Sequence, residues 1–155
     1  MSTPTIAFFN NKGGVGKTSL VYHVAWMMAD MGMQVVAADL DPQGNLSAAF
    51  LDEDRLEALW PEDKHPATIY GAVRPLKRGV GDIEDPLVES ISESLGLIPG
   101  DMALSEFEDD LSQVWPKCLD GDERAFRVIS AFWRVLQRGA AAYQADAVLI
   151  DLGPN

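Results

Sequence analysis

Cysteine is nearly absent: Cys118 stands alone in 155 residues, which excludes an internal disulfide framework. Long apolar runs are absent too, and none approaches the roughly 18 residues that a membrane-spanning helix requires. Basic charge is scarce. Twelve Lys and Arg face 24 Asp and Glu, a net charge of −12, which argues against a generally basic surface for DNA. Met1-Ser2-Thr3-Pro4 carries no basic stretch and leads to no small-residue cleavage site, so a non-secreted chain in a reducing cytoplasm is expected. Internal repeats and low-complexity tracts are missing as well. What is present is ordinary: 47 % hydrophobic and 23 % charged residues suit one domain with a real core and not a disordered polymer.

The charge is uneven. Gly79 to Pro116 holds ten Asp or Glu and no Lys or Arg. A solvated acidic face is the plain reading, and a docking surface for a basic partner is the other.

Thr5 to Asn10 is short, apolar and rich in β-formers, which predicts a buried strand. A glycine-rich turn follows. Ser19 to Met31 then repeats apolar residues at helical spacing (Leu20, Val21, Val24, Ala25, Met28, Met31), with Gly32 as the stop. Gln34 to Asp41 predicts a second strand ending in carboxylates. Strand, loop, helix and strand form a βαβ unit, hence a parallel pair with a right-handed crossover. Pro42 to Pro66 predicts a loop with short helices, Ala67 to Val73 a short helix, and Lys77 to Asp85 a surface loop. Leu95 to Pro99 predicts a third strand and Leu104 to Val114 a helix. Asp122 to Tyr143 is the longest helical pattern, with Phe126, Ile129, Trp133, Leu136 and Ala140 on one stripe. Ala145 to Leu152 predicts a fourth strand, again with a carboxylate near its end. The fold class is α/β: a mostly parallel twisted sheet flanked by helices. Ligands in such sheets bind at the carboxyl ends of the strands, where Asn10, Asp41 and Asp151 are expected.

The turn reads Lys12-Gly-Gly-Val-Gly-Lys-Thr18. Gly13, Gly14 and Gly16 remove Cβ atoms and permit positive φ, so successive N–H groups can curl around an anion. The helix starting near Lys17 adds the partial positive charge of its N-terminus. Lys17 can reach β and γ phosphates, and the Thr18 hydroxyl can ligate Mg²⁺. The standard pattern G-x-x-x-x-G-K-[ST] fails at its first glycine, where Asn11 stands. The extra lysine, Lys12, marks the deviant Walker A variant instead.

Three blocks resemble the ParA/MinD family of deviant-Walker ATPases, most closely the ParA branch that partitions plasmids and chromosomes. They are Asn11 to Thr18; Ala38-Asp-Leu-Asp-Pro-Gln-Gly-Asn-Leu-Ser47, similar to the family's switch I; and Val148-Leu-Ile-Asp-Leu-Gly-Pro154, similar to its Walker B strand. Leu97 to Ser105 is a softer match between them. The resemblance implies a P-loop NTPase binding ATP and Mg²⁺, with residues 1–155 as the N-terminal portion of one ATPase domain. It implies that Gly13, Gly14, Val15, Gly16, Lys17, Thr18 and Ser19 bind the nucleotide, Ser19 at the α-phosphate. Lys12 would reach into a partner's nucleotide, as an arginine finger does. Asp41 would position the attacking water, with a turn-capping role as the alternative. Thr18 would hold the metal directly and Asp151 through water. Asp39 either contributes to the metal's surroundings or serves as a structural hydrogen-bond acceptor. Gln43 and Asn45 are switch candidates without a definite role.

The histidines His23 and His65 stand isolated, and His23 reads as packing rather than as a base. Cys118 cannot supply the paired cysteines with which related reductases hold an iron–sulfur cluster. Trp26, Trp60, Trp115 and Trp133 read as core or interface aromatics.

Family members run longer, so a fragment or truncated form is expected, and hydrolysis by this portion alone stays open. The implied partners are a second copy of the chain on ATP binding and a ParB-like activator. DNA contact is expected only through sequence beyond residue 155, and nothing signals a membrane. Two other readings are carried: a nucleotide-gated binding module with little turnover, and a MinD-like membrane-associated positioning ATPase.

Overall fold

Short apolar runs alternating with helical stretches can bury both faces of a sheet only if helices cover each side. The computed structural model shows this arrangement and describes residues 2–60 and 66–154. The elements run β1 (Thr5–Phe8), α1 (Lys17–Asp30), β2 (Val35–Leu40), α2 (Asn45–Phe50), α3 (Glu53–Leu59), α4 (Ile69–Lys77), β3 (Glu89–Ser90), β4 (Leu95–Ile98), α5 (Leu104–Cys118), α6 (Glu123–Ile129), α7 (Ala131–Tyr143) and β5 (Ala147–Leu152).

The strand order is β1-β5-β2-β4-β3. The β1–β5, β5–β2 and β2–β4 pairs are parallel, and only β3 runs antiparallel. On one face Val35, Ala37, Leu95, Leu97 and Leu149 pack with Val21, Ala25 and Ala29 of α1 and Leu46 of α2. On the other, Val36, Ala38, Val148 and Ile150 pack under α4, α5, α6 and α7. Alternation along β2 and β5 sends Asp39 and Asp151, which are register partners, to the α1 side.

Several expectations change. The first βαβ unit does not give a neighbouring pair, because β5 lies between β1 and β2. That insertion brings Asp151 beside the glycine-rich turn. Strand β1 stops at Phe8 and is not buried: it pairs on one side only, and Ile6 is 47 % exposed. The pattern from Asp122 to Tyr143 breaks at Ser130, whose hydroxyl donates to the Phe126 carbonyl one turn back. Such back-bonding bends helices. The break turns Phe126 and Trp133 to solvent and leaves Val128, Ala131 and Val135 inside. Helices α4 and α5 run past their predicted ends, through Pro75 and Pro116. The two-residue β3 carries too little pattern to be seen in sequence.

The acidic stretch is largely solvated, as expected, but several of its carboxylates are paired with cations. Asp82 takes a bidentate contact from Arg134, Asp85 meets Arg138, Glu89 meets Arg55, and Glu106 and Asp110 meet Lys77. The cations come from elements on either side of the stretch in sequence.

Leu149 is fully buried at the centre of the sheet and Leu119 is 88 % exposed. In urea unfolding, Leu149→Ala is expected to lower stability by about 2–5 kcal/mol. Leu119→Ala is expected to change it by no more than about 0.5 kcal/mol.

Candidate nucleotide site

Helix α1 begins without a side-chain cap. Its N-cap is Gly16, left-handed at φ 86°. By contrast Asp52, Thr68 and Asp122 cap α3, α4 and α6 with side-chain oxygens. An uncapped first turn leaves N–H donors available to an anion. Gly14 is also left-handed, at φ 70°. A Cβ at either position would meet nothing within 4 Å, so backbone conformation rather than space demands glycine there.

This turn lines one side of a cavity of about 630 Å³ through Gly13, Gly14, Val15, Gly16, Lys17, Thr18 and Ser19. Across it stand Asp41, Gln43, Asn45, Ala49 and Pro154. Residues 13–19 and 41 are thus brought to one place, at the carboxyl ends of β2 and β5. Lys12 is exposed and outside that lining; its N–H donates to Asn10 Oδ1 at 2.9 Å. Pro154 and the Gln43–Asn45 pair, joined at 3.3 Å, complete the walls.

Asp151 is fully buried. Its Oδ2 accepts a hydrogen bond from the Thr18 hydroxyl at 2.6 Å, tying β5 to the glycine-rich turn. Its Oδ1 has no partner. Burial pushes this carboxyl above its usual range, the Thr18 bond offsets part of the rise, Asp41 adds to it and Lys17 opposes it. A buried, partnerless carboxylate oxygen beside a hydroxyl offers the donor chemistry a hard cation would need. Among the described residues no group of three His, Cys, Asp or Glu could hold a metal by itself. That suits Mg²⁺, which takes one or two protein oxygens and leaves the rest to water and phosphate. Thr18 would hold it directly and Asp151 through water.

Asp41 has the turn-capping role, and its place in the cavity wall leaves the water-positioning one available to it. It lines the cavity, and it also organises its own turn: Oδ1 accepts from Gln43 N at 2.9 Å, and its carbonyl accepts from Gly44 N at 2.9 Å. Asp39 is buried and is not among the residues that line the cavity. Oδ2 accepts from the N and Oγ of Ser47 at 2.8 and 2.7 Å, and Oδ1 from Asp41 N at 3.2 Å. Of its two roles, the hydrogen-bonding one is what this geometry provides. Ser47 and Gly100 were given no role by sequence reasoning, and no local signal marks them: they meet Asp39 only in the folded chain, Gly100 N donating to Ser47 Oγ at 2.9 Å.

Of the remaining candidates, His23 is exposed and sits edge-on to Tyr22. His65 lies outside the described residues. Cys118 is a free thiol at the end of α5. Trp115 and Trp133 are exposed, which removes the core reading for them and leaves the interface one.

Burial raises the Asp39 carboxyl to about 6, against the bonds from Ser47 and Asp41 that lower it. The folded chain therefore holds this proton more tightly than the unfolded one. Its stabilising effect is complete below about pH 4 and is lost as pH rises through about 6. Comparison of the chain with Asp39→Asn in urea unfolding from pH 4 to 7 should show the difference in stability shift by about 3 kcal/mol at most, to the chain's disadvantage at the higher pH.

The sequence model of the AAA domain family matches residues 3–155. A Rhizobium rhizogenes protein provisionally named replication protein A is 36 % identical over 150 residues, covering 97 % of this chain and 34 % of its own length. The chromosome partitioning protein ParA of Caulobacter vibrioides is 30 % identical over 150 residues, covering 97 % and 48 %. The crystal structure of protein DIP2308 from Corynebacterium diphtheriae superposes with a TM-score of 0.87 at 32 % identity, over 99 % of this chain and 54 % of that one. Cobyrinic acid a,c-diamide synthase from Mycobacterium smegmatis, with bound ADP and magnesium, superposes at 0.65 with 26 % identity, over 99 % and 52 %. The chain thus spans a third to a half of the curated relatives and about half of the solved ones. With its glycine-rich turn and switch-like carboxylate turn lining one cavity, and its buried strand-end aspartate bonded to Thr18 of that lining, the chain belongs to the AAA domain family in its ParA/MinD-like form.

Proposed function

We propose that this chain is the nucleotide-binding portion of a ParA-like, Mg²⁺-dependent ATPase that pairs two copies around ATP and uses hydrolysis as a timer. The task is plasmid or chromosome partitioning, or the positioning of another cargo, in the cytoplasm. One observation carries the reading: the uncapped start of α1, Lys17 and Thr18 line one cavity opposite Asp41, and the Thr18 hydroxyl is bonded directly behind that lining to buried Asp151, whose other oxygen has no partner. A triphosphate needs many N–H donors, a fixed cation and a metal seat at close quarters, and these supply them. The bound ADP and magnesium of the Mycobacterium smegmatis synthase support the choice of ligands.

Within that reading the N–H groups of residues 14–19 hold the phosphates and Lys17 neutralises the far end of the chain of charge. Mg²⁺, when bound, supplies charge neutralisation between phosphates. The Asp41 carboxylate orients the attacking water, its rotamer held by Gln43 N. Lys12 lies outside its own cavity, which suits a cation given to a second copy; a positive charge delivered in trans stabilises developing negative charge. A ParB-like activator and DNA are the further partners, with DNA contact outside residues 1–155. Among the described residues no helix is long and apolar enough to cross a membrane.

Calorimetry with a non-cleavable ATP analogue should show binding that Lys17→Ala abolishes; undiminished affinity in that variant contradicts the assignment. Asp41→Ala should keep the affinity and lower phosphate release by about 10²–10⁴-fold, and unchanged turnover removes Asp41 from its role. Release per subunit should climb with protein concentration. A nucleotide-bound chain that releases no phosphate at any concentration supports the binding-module reading instead.

A further inference from the structure

The turn that carries Asp41 is fixed by a closed circuit of contacts. Asp41 N donates to Asp39 Oδ1 at 3.2 Å. Asp39 Oδ2 takes both donors of Ser47, at 2.8 and 2.7 Å. The Ser47 hydroxyl, its proton used on Asp39, accepts from Gly100 N at 2.9 Å. The Gly100 carbonyl accepts the indole N–H of Trp60 at 2.9 Å. The Trp60 ring then returns to the turn: it lies so close to Gly44 that a Cβ there would be 3.1 Å from Cζ2 and 3.3 Å from Cη2. Gly44 N closes the circuit on the Asp41 carbonyl at 2.9 Å.

Two glycines leave this circuit little slack. Gly100 approaches Asp39 so nearly that a Cβ would stand 2.8 Å from the carboxyl carbon. Gly44 is left-handed at φ 65° and starts α2. The turn can shift only if Gly44 slides past a rigid indole anchored at the end of β4. Trp60 belongs to neither the phosphate turn nor β2; it ends α3. It is a separate part pressed against the Asp41 turn.

We infer that Trp60 is a positioning residue that locks the Asp41 turn in the arrangement facing the terminal phosphate, so that ATP and ADP are told apart partly through its indole. This rests on the cavity being a triphosphate site. An indole N–H on a backbone carbonyl contributes roughly 1 kcal/mol, and one tenfold step in affinity is about 1.4 kcal/mol.

The test labels the chain with 5-fluorotryptophan and follows its four ¹⁹F resonances with Mg²⁺ and either ADP or adenylyl imidodiphosphate. Trp60 is assigned by elimination from Phe replacements of Trp26, Trp115 and Trp133, so the assignment does not depend on a Trp60 variant. The Trp60 resonance is expected to move with the triphosphate analogue and not with ADP, while that of exposed Trp115 stays in place. In calorimetry, Trp60→Phe, which loses both the N–H and the far ring atoms that meet Gly44, is expected to lower the analogue-to-ADP affinity ratio by up to about tenfold. ADP affinity should stay within about twofold, as should both affinities in Trp115→Phe. An unmoved Trp60 resonance, or an unchanged ratio, with both nucleotides bound to the parent chain overturns the inference alone. Calorimetric silence of the parent chain toward both nucleotides overturns the triphosphate reading, and this inference with it.

Discussion

The hydrogen bond from the Thr18 hydroxyl to Asp151, 2.6 Å long, joins the two parts on which everything else in the site depends. Thr18 sits in the first turn of α1 and Asp151 near the end of β5, 133 residues away in sequence. Placing β5 between β1 and β2 is what lets them meet. A neighbouring β1–β2 pair would leave the turn facing Asp39, a carboxylate already engaged by Ser47. Topology thus decides which aspartate meets Thr18.

The same corner concentrates negative charge. Asp39, Asp41 and Asp151 are all buried or nearly so, at 0, 6 and 0 % exposure. Each is handled differently. Asp39 is surrounded by donors and belongs to the framework. Asp41 folds back on its own turn while keeping a place in the cavity wall. Asp151 keeps one oxygen without a partner. Native structures leave few buried polar atoms unpaired, and those that remain point to a ligand or a function. Lys17 is the cation the chain itself brings near Asp151. The rest of the compensation has to come from what binds.

Much of this was legible in sequence because it depends on local rules. Gly14 and Gly16 take left-handed φ, and residues 13–19 line the cavity as the motif requires. Asp41 and Asp151 lie at strand ends because apolar strands terminate in polar residues. What was not legible depends on contacts between distant segments. Ser47, Gly100 and Trp60 show no pattern in sequence, since their roles exist only once α2, α3 and β4 meet. The break at Ser130 depends on whether its hydroxyl turns back to Phe126 or outward, which periodicity cannot register. The pairing of the acidic stretch with Arg55, Lys77, Arg134 and Arg138 is hidden for the same reason.

The central claim is that the Thr18–Asp151 corner seats a divalent cation together with a triphosphate. Affinity for a non-cleavable ATP analogue, measured with and without Mg²⁺ in the parent chain and in Asp151→Asn, tests it most directly. The account predicts that Mg²⁺ tightens binding about tenfold or more in the parent chain and that the gain disappears in the variant. Equal affinity with and without Mg²⁺ in the parent, or an undiminished gain in Asp151→Asn, would contradict it.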